Sequence, residues 1–220
     1  MTDHEAMSSQ PQVERRPYRA DRRAKAAEET RTAILDAARR LFVEHGYAKV
    51  TVADIAREAE TAIPTVYAST GGKSSILRRL IGKGLGDSVV DQTLAAVRAS
   101  RDPLQVVAVT VHGVRVDNEG HFGLLRVLVT SAAVDEAARQ TLVQTDRLYR
   151  EALSEVAGRL RDLRALREGL TQDRATDVLW FFLGHRSWRL YVADCGWTWD
   201  ETQEWLAAQV SAALLRSPAG

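Results

Sequence analysis

The stretch TVADIAREAETAIPTVYAST, residues 51–70, decides how this chain is read. Thr51 is followed three residues on by Asp54, close to the capping-box pattern in which a hydroxyl and a carboxylate satisfy the free N–H groups of a helix start. Val52, Ile55, Ala56 and Ala59 recur at three and four residues and share one face of a short helix. Glu60 and Thr61 interrupt it. A second short helix fits from about Ile63 to Ser69, with Pro64 in its first turn, where backbone N–H groups have no intrahelical partner to lose. Gly71-Gly72 breaks that helix, and Lys73 begins a longer one.

Upstream, Ile34, Leu35, Ala38, Leu41 and Phe42 mark another helix face from Thr30 onward, stopped at Gly46. Residues 1–27 are polar and arginine-rich, lack an apolar period and read as a flexible tail. Downstream, every apolar period is helical. Helices are predicted at roughly 73–98, 103–118, 121–133, 135–165, 171–194 and 199–215, separated by Asp102-Pro103, Gly120, Gly169 and Gly196. With no strand-like alternation, the fold class is all-α.

The formal charge of +1 hides an asymmetry. Arg15 through Lys83 holds fifteen basic and eight acidic residues, net +7, whereas the remainder is net −6. A basic third on an acidic body suits a polyanion-binding module joined to something else. Met1 to Gln10 has acidic residues and lacks the apolar core of a secretory signal. No stretch approaches the roughly 20 apolar residues of a membrane span. Cys195 is the only cysteine, so neither an internal disulfide nor CxxC metal spacing exists. These features point to a cytoplasmic protein without membrane or cofactor.

Three short helices with a tight turn between the last two, in a basic segment, match the helix-turn-helix design, whose final helix enters the major groove. The elements Ile34-Leu35-Asp36-Ala37-Ala38, Leu41-Phe42, Gly46-Tyr47, Thr51-Val52-Ala53-Asp54-Ile55-Ala56, Pro64-Thr65-Val66-Tyr67 and Lys73-Ser74-Ser75-Ile76-Leu77 stand in register with one known family. Over about residues 28–88 the chain resembles the tetracycline-repressor (TetR) family. The resemblance implies a helix-turn-helix domain at 28–88 and a helical effector-binding and dimerisation domain at 89–220. Thr51 would cap the second helix near a phosphate, and Ala62, Ile63 and Pro64, with Ser69 in addition, would face bases. Thr65, Tyr67 and Lys73 match backbone-contacting positions. Phosphate contacts give register rather than sequence choice. The apolar first turn of the recognition helix favours thymine-methyl and shape readout.

Three residues depart from the family pattern. Glu60 stands at a usual turn glycine, Ala62 at a frequent capping serine, which shifts the expected cap to Thr61, and Thr70 at a usual aromatic. Arg15, Arg16, Arg19, Arg22 and Arg23 read either as an arm for the minor groove or as a tail loosely held by phosphate.

The C-terminal elements Asp177-Val178-Leu179-Trp180, Tyr191, Gly196-Trp197, Asp200 and Trp205-Leu206 resemble the end of actinobacterial-type members, whose last two long helices pair with a second subunit. Leu206, Val210, Ala213 and Leu214 would supply the homodimer face or, equally in pattern, intramolecular core. A small-molecule effector pocket follows from the resemblance, and its candidate lining is His112, His121, Phe122, Arg126, Tyr149, Trp180, Phe181, His185 and Trp188. Each of these is, taken singly, an ordinary core or surface group. His112 and His121 lack a third ligand at helical spacing, so no metal is expected. Nor is an enzyme: a glycine-rich phosphate loop, a GxSxG elbow and an HExxH pair are all absent, and Cys195 has no neighbouring histidine. The expectation is a ligand-released repressor that binds near-palindromic operator DNA as a homodimer. The rival is a helical interaction module that kept the fold and lost sequence-specific DNA binding, with Glu60 and Thr70 as its pointers.

Overall fold

The computed structural model describes residues 15–85 and 88–216. Helix α1 spans Arg15–His45, and a single 3-10 turn at Tyr47–Lys49 leads to α2 (Val52–Glu58), α3 (Ile63–Thr70) and α4 (Lys73–Leu85). The body follows as α5 (Ser88–Ala99), α6 (Pro103–Ser131), α7 (Glu136–Asp162), α8 (Gln172–Leu183), α9 (His185–Arg189) and α10 (Trp199–Leu214). Among the described residues the one β pairing is an isolated bridge between Leu166 and Leu215.

Three expectations about the helices need correction. The reading of 1–27 as a flexible tail fails from Arg15 onward, because those residues extend α1; residues 1–14 lie outside the described ones. Alanine, arginine, lysine and glutamate are strong helix formers. Residues 21–29 are all exposed, so propensity and pairs such as Arg31–Glu28 (2.9 Å) sustain this extension without a packed face. Gly120 does not end a helix. It sits inside the 29-residue α6, where its carbonyl accepts a hydrogen bond from Arg39 Nη2 at 3.1 Å. The predicted 73–98 is helical as α4 to Leu85 and as α5 from Ser88, and residues 86–87 lie outside the described ones. The predicted 171–194 is divided at Gly184, whose extended ψ of 152° separates α8 from α9. A Cβ there would meet the Trp180 carbonyl oxygen at 2.6 Å, so the bend needs glycine.

Two apolar cores result. The first joins Ile34, Phe42, Ile55, Val66, Ile76 and Leu77 of the N-terminal helices to Leu124, Val127 and Leu128 of α6 and Ala138 of α7. The second gathers Leu94, Val107, Val111, Leu153, Leu160, Leu183, Trp188, Leu206 and Val210. Helix α6 therefore belongs to both, its C-terminal half closing the first core and its N-terminal half crossing the second.

Candidate nucleic-acid interface and effector cavity

Thr51 caps α2 as its sequence suggests. Its Oγ1 accepts from the Asp54 N–H at 3.2 Å and donates to Asp54 Oδ2 at 2.6 Å, while its own N–H reaches the same carboxylate at 3.0 Å. The Thr51 hydroxyl and N–H, with the Arg57 guanidinium, hold the Asp54 carboxyl down at about 2. Arg40 and Glu58 pair at 2.9 Å and fasten α2 to α1. The turn passes through Glu60 at φ +50°, the left-handed conformation that its glycine-like position demands. Thr61 N–H returns to the Ala56 carbonyl at 2.9 Å. The cap of α3 does not move to Thr61. Ala62 is the N-cap, with no side-chain bond, and its carbonyl accepts from Thr65 N–H at 2.9 Å and Val66 N–H at 3.2 Å. The reason is geometric: Ala62 already has the extended backbone from which the helix starts.

Helix α3 buries Val66 and Thr70 and turns Ile63, Pro64, Tyr67 and Ala68 outward. The Thr70 hydroxyl, in place of an aromatic, is satisfied by the Val66 carbonyl at 2.9 Å. Two large apolar side chains remain in water on the outer face, Ile63 at 44% and Tyr67 at 55% exposure. Lys73 Nζ donates to the Tyr47 carbonyl at 2.8 Å and lies 4.3 Å from the centre of the Tyr47 ring. The Tyr47 hydroxyl in turn donates to Asp135 Oδ2 at 2.9 Å. Asp135 caps α7 by accepting from the Ala138 N–H, and that bond is the largest influence holding its carboxyl below the ordinary range. The start of α4 is thus tied through one aromatic ring to the start of a body helix.

In the body, α5, α6 and α7 enclose a cavity of about 310 Å³ lined by Val90, Leu94, Val114, Leu153 and Val156, with Thr93, Thr110, Asp117 and Tyr149. Helices α5 and α6 meet beside it so closely that a Cβ at Gly113 would lie 2.0 Å from Thr93 Oγ1. Asp117 and Tyr149 also line a smaller adjoining space of about 30 Å³, together with His121, Thr145, Asp146 and His185. Burial pushes the Tyr149 phenol above its ordinary range. Its hydroxyl donates to the Leu183 carbonyl at 2.9 Å, a carbonyl that lies just before the Gly184 bend. The same bend carries His185 into the smaller space.

Residues 34–80 match the model of the bacterial regulatory proteins of the tetR family. The resemblance to that family is borne out over this segment. It is 37% identical over 82 residues to the HTH-type transcriptional regulator BetI of Agrobacterium fabrum, a match spanning 37% of this chain and 39% of the relative. The chain therefore aligns with well under half the length of that curated relative. Solved structures share the fold over most of the chain. NalD of Pseudomonas aeruginosa, the secondary repressor of the MexAB-OprM multidrug efflux pump, superposes with a TM-score of 0.67 at 22% identity, over 86% of this chain and 98% of NalD. A putative transcriptional regulator of Saccharomonospora viridis in complex with choline gives 0.69 at 16% identity, over 86% and 100%. Both the family model and the BetI match are of regulatory proteins. No helix among the described residues is long and apolar enough to cross a membrane.

Against this TetR scaffold the expected site residues divide. Thr51, Ala62, Ile63, Pro64, Thr65, Tyr67, Ser69 and Lys73 all lie on α2, α3 or α4 at or near the outer surface, none of them buried. Of the arginines expected to form an arm, the side chains of Arg15, Arg16 and Arg19 lie outside the described ones, and Arg22 and Arg23 are exposed on α1. Of the nine residues expected around an effector, His121, Tyr149 and His185 line the cavities. The other six do not. His112 is on the surface against Gln203 at 3.2 Å, Arg126 donates to the Val43 carbonyl at 3.3 Å, and Phe181 is 72% exposed. Phe122 packs edge-on against Trp199, Trp180 edge-on against Tyr149, and Trp188 is fully buried and stacked on Trp199. Asp117 and Asp146 were not anticipated. The signal for Asp117 was present as a charge on the face that carries Thr110, Gly113 and Val114.

The expected dimer face is also corrected. Leu206, Val210 and Leu214 are fully enclosed within their own chain, and Ala213 is half-buried. Their apolar period is spent on the second core, against α6 and α8. The apolar residues that α10 leaves outside are Trp205, Ala208 and Ala212.

Proposed function

We propose that the chain is a ligand-responsive transcription regulator, acting as a repressor, that binds a near-palindromic operator as a homodimer and lets go when a small molecule enters its body. Residues 28–88 form the reader and 89–220 the sensing and dimerisation half. The observation that carries this reading is the outer face of α3. A short helix presents Ile63, Pro64 and Tyr67 to solvent while its inner face is fixed by Val66 and Thr70. Apolar groups held out in water at the start of a recognition helix suit thymine methyls and groove shape. Thr65, Tyr67 and Lys73 anchor the backbone, with Thr51 and Ser69 flanking. Lys73 has to leave the Tyr47 carbonyl to reach a phosphate, which makes it a contact won on binding. The protein works in the cytoplasm.

A symmetric operator requires two readers, and a dimer supplies them at fixed spacing. Phe181 on α8 and Trp205, Ala208 and Ala212 on α10 are the exposed apolar residues of the last long helices and the surface offered to a second subunit. Release follows from the frame. A ligand between α5, α6 and α7 bears on the helix that closes the reader's core and, through Asp135 and Tyr47, on Lys73. It acts only through its different affinity for the two states. The choline held by one structural neighbour belongs to that protein.

The test is a gel shift of the full chain on DNA upstream of its own gene. Saturable, sequence-selective binding that weakens with salt supports the reading. Tyr67→Ala and Lys73→Ala should weaken binding to all sequences alike, with the salt slope falling by about one for Lys73→Ala. Absence of selective binding at low salt across neighbouring promoters overturns it and favours the interaction module.

A further inference from the structure

The chemistry lining the two body cavities is unbalanced. Asp117, Glu151 and Glu155 line the larger, and Asp117 and Asp146 the smaller, whereas among the described residues no lysine or arginine lines either. Glu151 and Glu155 are compensated from outside by Arg147 at 3.0 Å and Arg98 at 2.6 Å. Among the described residues Asp117 and Asp146 have no such guanidinium partner. Asp117 faces His121 Nδ1 at 3.3 Å, and that nitrogen also meets the Asp117 backbone carbonyl at 2.9 Å. Asp146 Oδ1 is sealed from water without a hydrogen-bond partner, 3.7 Å from His185 Nδ1. Arg186 acts on Asp146 only through space and lines neither cavity. His185 is 7% exposed and its Nε2 likewise lacks a partner. A sealed carboxylate oxygen left in this state is costly unless something supplies the missing partner. Beside the carboxylates stand the ring of Tyr149, an aromatic face of the kind that attracts cations, and the aliphatic wall of Val90, Leu94, Val114 and Val156.

We propose that the effector of this chain is an organic monocation, a protonated amine or quaternary ammonium on an apolar body, whose charge sits between Asp117 and the Tyr149 ring, in the field of Asp146. Its apolar part fills the space between α5, α6 and α7. An anion would meet the Asp117 and Asp146 carboxylates, and a neutral ligand would leave both as they are. The cavity of about 310 Å³ is at the small end of ligand pockets, which suits a compact single-ring molecule. The proposal rests on the body being an effector-binding half and adds the charge of what it binds.

The experiment titrates the full-length protein, followed by calorimetry and by the fluorescence of Trp180, 5.5 Å from the Tyr149 ring. The probes are phenyltrimethylammonium, its uncharged isostere tert-butylbenzene, and benzoate. The cation should bind about tenfold or more tighter than the isostere, and benzoate should not bind. Asp117→Asn should remove that preference while leaving tert-butylbenzene binding unchanged. Val114→Phe, which fills the cavity, should remove binding of both. Equal or tighter binding of tert-butylbenzene by the unaltered protein, or a preference that survives Asp117→Asn, overturns the cationic class and leaves the effector cavity standing. Cation binding that survives Val114→Phe overturns the location. Binding of none of the three probes removes the effector reading together with the proposal. The comparison of the three probes on the unaltered protein decides the matter even if a variant folds poorly.

Discussion

The two cores of this molecule are packed to different standards. Around α1 to α4 the interior is aliphatic and aromatic, and the polar groups at its edge are paired locally, Thr51 with Asp54, Thr70 with Val66, Tyr47 with Asp135. Around α5 to α10 the interior contains a cavity and, among the described residues, three of the four sealed side-chain atoms without a partner: Asp146 Oδ1, His185 Nε2 and Trp188 Nε1. The fourth is Arg31 Nε. A reader must hold one shape against DNA, and complete packing does that. A sensor must gain something when its ligand arrives, and unsatisfied groups are what a ligand can satisfy. Helix α6 is common to both cores.

The largest expected effect tests whether the cores are one cooperative unit. Phe42 is fully buried in the first core, and Phe42→Ala should cost about 3–5 kcal/mol. All five tryptophans lie in the body, from Trp180 to Trp205, so their fluorescence reports the second core alone. Its thermal transition should fall together with the helical signal; an unmoved tryptophan transition would break the shared-helix account. Next in size, Gly113→Ala drives a Cβ into Thr93 and should cost about 1–3 kcal/mol, with loss of whatever the cavity binds. Thr51→Ala removes the capping box and should cost about 1 kcal/mol, read from chemical denaturation, and should weaken operator binding as well. Glu60→Gly should be slightly stabilising, by about 0.5 kcal/mol, because relief at φ +50° outweighs the added freedom of the unfolded chain.

The smallest effect is a slope with pH. Burial holds the His185 imidazole below its ordinary range. Unfolding then takes up a proton there, so the stability tied to neutral His185 is present above about pH 6.5 and is lost as the pH falls. The Asp146 carboxyl, pushed up by burial, works in the opposite sense, since protonation relieves its buried charge. His185→Gln should flatten the drop in thermal midpoint between about pH 7.5 and about pH 5.5, whereas Asp146→Asn should steepen it. An unchanged slope in His185→Gln would place the titrating group elsewhere.

How legible each region was follows from the same contrast. The reader could be taken from the chain almost residue by residue, because its signals are local. A capping pair three apart, a proline in a first turn and a residue at a glycine position each dictate backbone within one or two turns. Even the departures behaved locally: Glu60 took the positive φ, and Ala62 became a cap without a side-chain bond. The body was legible only as helices. Gly120 looked like a break and was carried through by the long α6, while the break at Gly184 went unread because its cause is a contact with Trp180. The aromatic residues expected around a ligand mostly became core or surface, and two aspartates took that place.

By itself the sequence determined an all-α chain with a capped, basic helix-turn-helix and an apolar recognition turn, since period, caps and charge are properties of neighbouring residues. Only the tertiary structure decided which apolar stripe is spent inside the chain, as with Leu206, Val210 and Leu214, and which carboxylates line the cavities, as with Asp117 and Asp146. Those outcomes depend on which helices cross and how closely, and crossings such as Gly113 against Thr93 bring together residues far apart in the chain.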